Sequence, residues 1–332
     1  MHRAWIPASA GMTGVGAQPL TPAIGDTPSK APNARRLLQN AGLYRREHDV
    51  NHPGDQGSER SHTLTMADGQ TLFVRDWPSS RAQDAVLIVH GLGEHSGRYQ
   101  RLAAWFRTRG YAVRSYDQRG HGQSPGRRGA LSHPDDLLED LAIVYNDYAD
   151  TRSQRPLLLG HSMGGLVAAR AVLDRRVQPG AMVLSSPSLR TWEPAWRQKL
   201  AATLAKALPN LPLPNGLPFD KLSHDPQVEP AYRRDPLRHG WITPRLADFI
   251  FRAGDAAVAD ASKLAIPTLL LVAGADKLVN PSGSRDFSSA SWAGNKVTTR
   301  YFDSLYHELF NEAEPARSQV LKQLGDWLQK RG

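Results

Sequence analysis

The chain has 332 residues and no cysteine, which excludes disulfides, thiolate metal sites and a cysteine nucleophile. Its hydrophobic content of 40% and its 8 Trp suit a globular protein, long enough for one large domain with an insertion or for two domains. The formal charge is +9, but the basic residues are scattered among acids, so nucleic-acid binding is not expected. A solvated basic surface is the simplest account, with attraction to an anionic lipid surface the second.

Residues 1–58 are dominated by Gly, Pro, Ala, Thr and Asn and lack hydrophobic periodicity, so a disordered N-terminal extension is expected. Between Ile6 and Ile24 the apolar residues are broken by Gly, Pro and Thr, and an export signal needs a continuous core of about 7–15. No apolar run approaches the roughly 20 residues that span a bilayer. The expectation is a cytoplasmic protein, with peripheral contact at most with a membrane.

From Glu59 the pattern becomes regular. Ser61 to Met66 and Thr71 to Trp77 alternate about Ala67-Asp68-Gly69-Gln70, and Asp-Gly is a strong hairpin signal. Ala85 to Val89 is wholly apolar, as in a strand covered on both faces, and leads into His90-Gly91-Leu92-Gly93-Glu94-His95-Ser96-Gly97. Tyr99 to Arg109 reads as a helix and Tyr111 to Tyr116 as a strand, followed by the loop Asp117 to Ser124. Asp135 to Tyr148 has apolar residues at helical spacing behind the start signal Ser132-His133-Pro134-Asp135.

Leu157-Leu158-Leu159-Gly160-His161-Ser162-Met163-Gly164-Gly165-Leu166 then reads as strand, sharp turn and helix. Gly160 and Gly164 carry no Cβ to collide with neighbours, so Ser162 can sit at the tip of a strained turn with its hydroxyl held out, a nucleophile elbow. Further strands are expected at Gly180 to Leu184, Ile266 to Val272 and Val297 to Phe302, and a closing amphipathic helix at Glu314 to Gln329. Strands alternating with helices predict an α/β fold with a mostly parallel, doubly wound sheet of about eight strands. Chemistry then gathers at the carboxyl ends of those strands.

Between Pro187 and Lys263 the alternation stops for longer than a loop allows, so 188–262 is expected to be an inserted, mainly helical cap. The core is then 59–187 together with 263–332. Trp192, Trp196, Leu200, Leu204 and Leu208 lie in the first half of the cap. They suit an acyl pocket, a membrane contact or simple burial of the cap against the domain.

A serine hydroxyl needs a base to take its proton, usually an imidazole oriented by a carboxylate, in the chain order serine, acid, histidine. His307 is the one histidine after Ser162 that follows a core strand, whereas His224 and His239 fall in the cap and His161 reads as structural. Asp276 lies in a turn at a strand's carboxyl edge and is the expected acid, with Asp303 a competitor that reads better as a loop anchor. The backbone N–H groups of Met163 and Leu92 are the expected oxyanion donors. Acyl transfer to water follows, with no metal or organic cofactor required.

Gly160 to Gly165, His90 to Tyr99 and Asp117 to Ser124, together with Ala275-Asp276 and Tyr306-His307-Glu308, resemble the monoacylglycerol lipase and lysophospholipase family of α/β-hydrolases. The resemblance spans roughly 59–330. It implies Ser162, Asp276 and His307 as a triad, the Leu92 and Met163 amides as the oxyanion hole, a mobile apolar cap and a glycerol ester as substrate. The expected function is hydrolysis of monoacylglycerol-like lipid esters to fatty acid and glycerol. Lysophospholipase or broad carboxylesterase activity is the alternative on the same residues, and a non-catalytic ligand-binding protein on a hydrolase scaffold is the alternative of another class. Oligomeric state is not readable from the sequence.

Overall fold

The computed structural model describes residues 46–50, 59–80, 82–291 and 296–331, with 46–50 and 331 as backbone alone. Strands β1 (Arg46–Val50), β2 (Arg60–Thr65), β3 (Thr71–Trp77), β4 (Asp84–Val89), β5 (Tyr111–Tyr116), β6 (Leu157–His161) and β7 (Met182–Ser185) precede the segment 188–262. Within that segment Leu213–Pro214 (β8) pairs with Trp241–Ile242 (β9) in a separate two-stranded ribbon. After it come β10 (Thr268–Ala273) and β11 (Val297–Phe302). The main sheet runs β1-β2-β3-β5-β4-β6-β7-β10-β11. Eight of these strands are those expected. The ninth, β1, lies in the stretch read as disordered, where it pairs antiparallel with β2, and the rest of 1–58 lies outside the described residues.

The β2–β3 turn closes as the Asp-Gly signal requires. Met66 N–H donates to Gln70 O at 2.7 Å, Gly69 takes φ of 84°, and the Asp68 carboxylate accepts the Gln70 N–H at 3.1 Å. From β5 onward the neighbours are all parallel.

Successive residues of the central strands feed two cores. Leu87 and Val89 of β4, Leu158 of β6 and Leu270 and Val272 of β10 face a layer formed by α2 (Asp136–Ala149), α3 (Met163–Leu173) and α6 (Pro244–Ala259). Val86, Ile88, Leu157, Leu159, Leu269 and Leu271 face α1 (Gln100–Arg107) and α8 (Ala316–Arg331) on the other side. Both faces are covered, which is why these strands read as continuous apolar runs rather than alternating ones.

Three further α-helices lie among the described residues: α4 (Ala195–Ala207), α5 (Val228–Arg234) and α7 (Ser282–Ala290). The last was not anticipated, because its sequence, SGSRDFSSA, offers little apolar content beyond Phe287. Helix α6 falls inside 188–262 yet buries Leu246, Phe249, Ala253 and Ala257 in the first core, whereas α4 buries no residue. Strand β4 has β5 on one side and β6 on the other, so the chain reverses its direction of winding there. In open parallel sheets such a switch point opens a crevice at the strands' carboxyl ends. Val89 stands opposite Gly160, and His161 opposite Ser185, which brings the loops after β4, β6 and β7 to one edge.

Candidate active site

At that edge Ser162 adopts φ of 54° and ψ of −123°, a left-handed conformation that a non-glycine residue rarely holds. The surrounding backbone enforces it. A Cβ on Gly164 would run into the carbonyl oxygens of Val89 and His90, and one on Gly160 into the Gly164 backbone. Helix α3 can therefore start directly against the sheet only with glycine at both positions. Met163 opens α3, and its N–H has no hydrogen-bond partner among the described residues.

His307 and Asp276 come from loops after β11 and β10. His307 Nδ1 lies 2.6 Å from Asp276 Oδ2. The other oxygen, Oδ1, accepts the backbone N–H groups of Leu278 at 2.8 Å and Val279 at 2.9 Å. Asp276 is thus both a turn former and the partner of His307, and the turn fixes the direction in which Oδ2 points. Asp303 is not in this arrangement, and its backbone packs against Gly274. Burial alone would push the imidazole of His307 down. The Asp276 carboxylate, by charge and by hydrogen bond, outweighs that and raises it above its ordinary value, with Glu308 and Glu94 adding in the same sense.

Ser162, His307 and Leu92 line one cavity of about 20 Å³, together with Gly91, Glu94 and Leu278. No hydrogen bond joins the Ser162 hydroxyl to His307 among the described residues. Its Oγ lies 3.4 Å from Ser188 Oγ. In unliganded sites such bonds are often long and tighten only around substrate. The Leu92 N–H, like that of Met163, is without a partner among the described residues, so the two expected oxyanion donors are both available.

His161, read as structural, packs against His307. Its ring centroid is 4.7 Å from that of His307, and its Nδ1 meets Ser185 O at 3.1 Å. Burial and the neighbouring His307 push it down to about 4, so it is neutral beside His307. His90 is buried and spends its nitrogens on Gly91 O and on the Gln118 N–H, which fixes the loop that carries Leu92.

Several residues with a role around the site were not picked out from sequence. Ser186, at φ of 43°, donates its hydroxyl to His307 O at 2.9 Å. Glu94, Arg98 and Glu308 form a buried charged cluster between the Leu92 loop and the His307 loop. Three acids and bases within Glu94 to Arg98 and a carboxylate directly after the histidine were the available signal. From the segment 188–262 Leu222 O accepts the Glu308 N–H at 2.8 Å, Gly93 O accepts the His239 N–H at 3.0 Å, and Asp235 meets His95 Nε2 at 2.8 Å. That segment therefore rests on both loops that border Ser162.

A serine on a strained strand-to-helix turn, a buried histidine–carboxylate pair and two unused N–H groups at the switch point of a parallel sheet define a serine hydrolase of the α/β-hydrolase fold. The family model described as serine aminopeptidase, S33, matches residues 80–314, and the chain belongs to that family. The chain is 31% identical over 272 residues to a monoacylglycerol lipase of Mycolicibacterium smegmatis, a match covering 80% of this chain and 96% of that protein. It is 31% identical over 252 residues to phospholipase YtpA of Bacillus subtilis, covering 74% of this chain and 95% of that one. A crystal structure of monoacylglycerol lipase from Paleococcus ferrophilus aligns with a TM-score of 0.72 at 32% identity, covering 79% of this chain and 99% of the other. Among the described residues no helix is long and apolar enough to cross a membrane.

Proposed function

We propose that this chain hydrolyses monoacylglycerol-like lipid esters, with Ser162 as nucleophile, His307 as general base and acid, and Asp276 as the group that orients the imidazole. The His307–Asp276 hydrogen bond carries the reading, because it leaves Nε2 as the basic nitrogen in the cavity that Ser162 also lines. His307 takes the hydroxyl proton as Oγ attacks the ester carbonyl. The oxyanion is met by the N–H groups of Leu92 and Met163, the alcohol leaves with the proton from His307, and water then releases the fatty acid. A serine, a histidine and a carboxylate are sufficient for these steps.

The segment 188–262 is read as the cap over this site. The cavity at Ser162 is about 20 Å³, too small for an acyl chain, so substrate entry requires the cap to move. A groove of about 300 Å³ between α4 and α6, lined by Trp196, Leu200, Leu204, Leu213, Ile242 and Phe251, is of the size and polarity that suit a hydrocarbon chain. Trp192, Trp196, Leu200, Leu208 and Leu211 are exposed on the same segment, which supports peripheral contact with a lipid surface. The likeness to a phospholipase supports lysophospholipid as the alternative substrate on the same residues.

Ser162→Ala decides the mechanism, and a substrate panel decides the head group. The variant is expected to lose hydrolysis of a short nitrophenyl ester, and unchanged activity would refute the role of Ser162. Glycerol release from 1-monooleoylglycerol exceeding glycerophosphocholine release from lysophosphatidylcholine is the expected order, and the reverse would favour the alternative.

A further inference from the structure

The charged cluster beside the cavity takes no part in the steps above. The side chains of Glu94, Arg98 and Glu308 keep only 5%, 13% and 5% of their exposure. Arg98 Nη1 donates to Glu94 Oε2 at 2.6 Å and to Glu308 Oε1 at 2.7 Å, and Nη2 donates to Glu308 Oε2 at 2.8 Å. Glu94 Oε1 accepts the Gly91 N–H at 2.5 Å and the Tyr99 hydroxyl at 2.7 Å. Gly91 immediately precedes Leu92, and Glu308 immediately follows His307. One guanidinium therefore ties together two loops that lie 210 residues apart in the chain.

Burying three charges is costly, and apolar side chains of similar volume would hold two loops together at least as firmly. What an apolar contact lacks is direction. A guanidinium forked onto a carboxylate fixes both distance and plane, and a lysine ammonium cannot reproduce that fork. The other bonds of Glu308 agree with such a function. Its N–H is held by Leu222 O, its Oε2 also accepts Asn311 Nδ2 at 2.9 Å, and the adjoining His307 carbonyl is held by Ser186.

We infer that Arg98 is a positioning residue, which clamps Glu308 to Glu94 and so sets the separation between the Leu92 amide and the His307 imidazole. The inference rests on the roles proposed for Ser162, His307 and Leu92. Without the clamp the loops remain folded but the donor and the base lose their mutual registration, and small misplacements of this kind cost about a hundredfold in rate. Arg98 has an electrostatic consequence as well. His307 is faced by Asp276, Glu308 and Glu94, which favour its charged form, and by His161, which is itself held neutral. Removing the guanidinium leaves two carboxylates unopposed and stabilises the imidazolium further.

The test is kcat, KM and the pH–rate profile on a short nitrophenyl ester for Arg98→Lys, Arg98→Met and the Glu94→Gln/Glu308→Gln cycle, beside wild type and S162A. R98K is expected to lower kcat about tenfold or more while KM stays within about twofold and the thermal midpoint holds. The acid limb of R98M is expected to move to higher pH by about half a unit or more. The two carboxylate changes should combine non-additively in kcat. Wild-type kcat in R98K, or an unmoved acid limb in folded R98M, would overturn the inference. Should R98M not accumulate as folded protein, the carboxylate cycle decides, and additivity there sinks it. Activity retained by S162A would mean that the site reading itself fails, whereas an inactive S162A with a wild-type R98K removes only the role of Arg98.

Discussion

His307 Nδ1 and Asp276 Oδ2 are 2.6 Å apart, and each side chain is 3% exposed. With water excluded, the carboxylate holds the imidazole in the tautomer that leaves Nε2 basic, and in the proposed mechanism it compensates the charge that appears there on proton transfer. Asp276→Asn keeps the shape but removes the charge and admits the wrong tautomer. It is expected to lower kcat about 10³- to 10⁴-fold with little change in KM. Steady-state kinetics on a soluble ester reads this directly, and a loss below about tenfold would show that His307 is oriented by something else.

The raised value at His307 sets the acid side of the pH profile. In the proposed mechanism His307 must be neutral to accept the Ser162 proton, so a group raised above 6.5 loses activity on acidification sooner than an unperturbed imidazole would. The acid limb of kcat/KM is therefore expected to have its midpoint above pH 6.5. In D276N the largest favourable charge is gone and the limb should fall toward lower pH. A wild-type midpoint below 6.5 would contradict the electrostatics described for this pair.

Gly164 and Gly325 make opposite predictions. A methyl at Gly164 would meet the carbonyl oxygens of Val89 and His90, backbone atoms that cannot step aside. Gly164→Ala is expected to destabilise the fold by about 2 kcal/mol or more, in the range of overpacked cores, and to displace Ser162. Gly325 is a helical residue whose added Cβ would find nothing nearer than 3.6 Å. Gly325→Ala should leave activity unchanged and gain about 0.5–1 kcal/mol. Urea unfolding of the two variants separates these outcomes, and equal stabilities would contradict the packing at the elbow.

Trp192 and Trp196 are 54% and 61% exposed on the segment read as the cap. Replacing both with serine removes apolar surface that a folded core does not use. If that surface meets lipid, hydrolysis of monooleoylglycerol presented in vesicles should fall several-fold while hydrolysis of a short soluble ester is retained. Equal loss on both substrates, or no loss on either, would remove the membrane contact from the proposal.

Much of this arrangement was legible before any coordinates. The continuous apolar runs at Ala85 to Val89 and Leu157 to Leu159 announce strands covered on both faces, because only such strands have no polar side to show. The glycines around Ser162 announce the elbow, since no other residue fits between β4, β6 and α3. His307 and Asp276 could be chosen by their position after strands, because the sheet sends every strand's carboxyl end to one edge. Local chemistry at single positions is enough for inferences of this kind.

The rest depended on which distant groups meet. That Asp276 uses one oxygen for its own turn and the other for His307, that His161 lies against His307, and that Arg98 joins Glu94 to Glu308 are relations between loops from different strands. Side-chain identity says only that such bonds are chemically allowed. Helix α7 and strand β1 were missed for a related reason, since neither carries a periodic apolar signal strong enough to declare itself without the neighbour it pairs with. The sequence by itself determined the fold class and the residues capable of the chemistry, because backbone sterics and hydrophobic periodicity act over a few residues. Only the tertiary structure decided how the buried charges are paired and oriented, because those energies depend on distances that the chain acquires on folding.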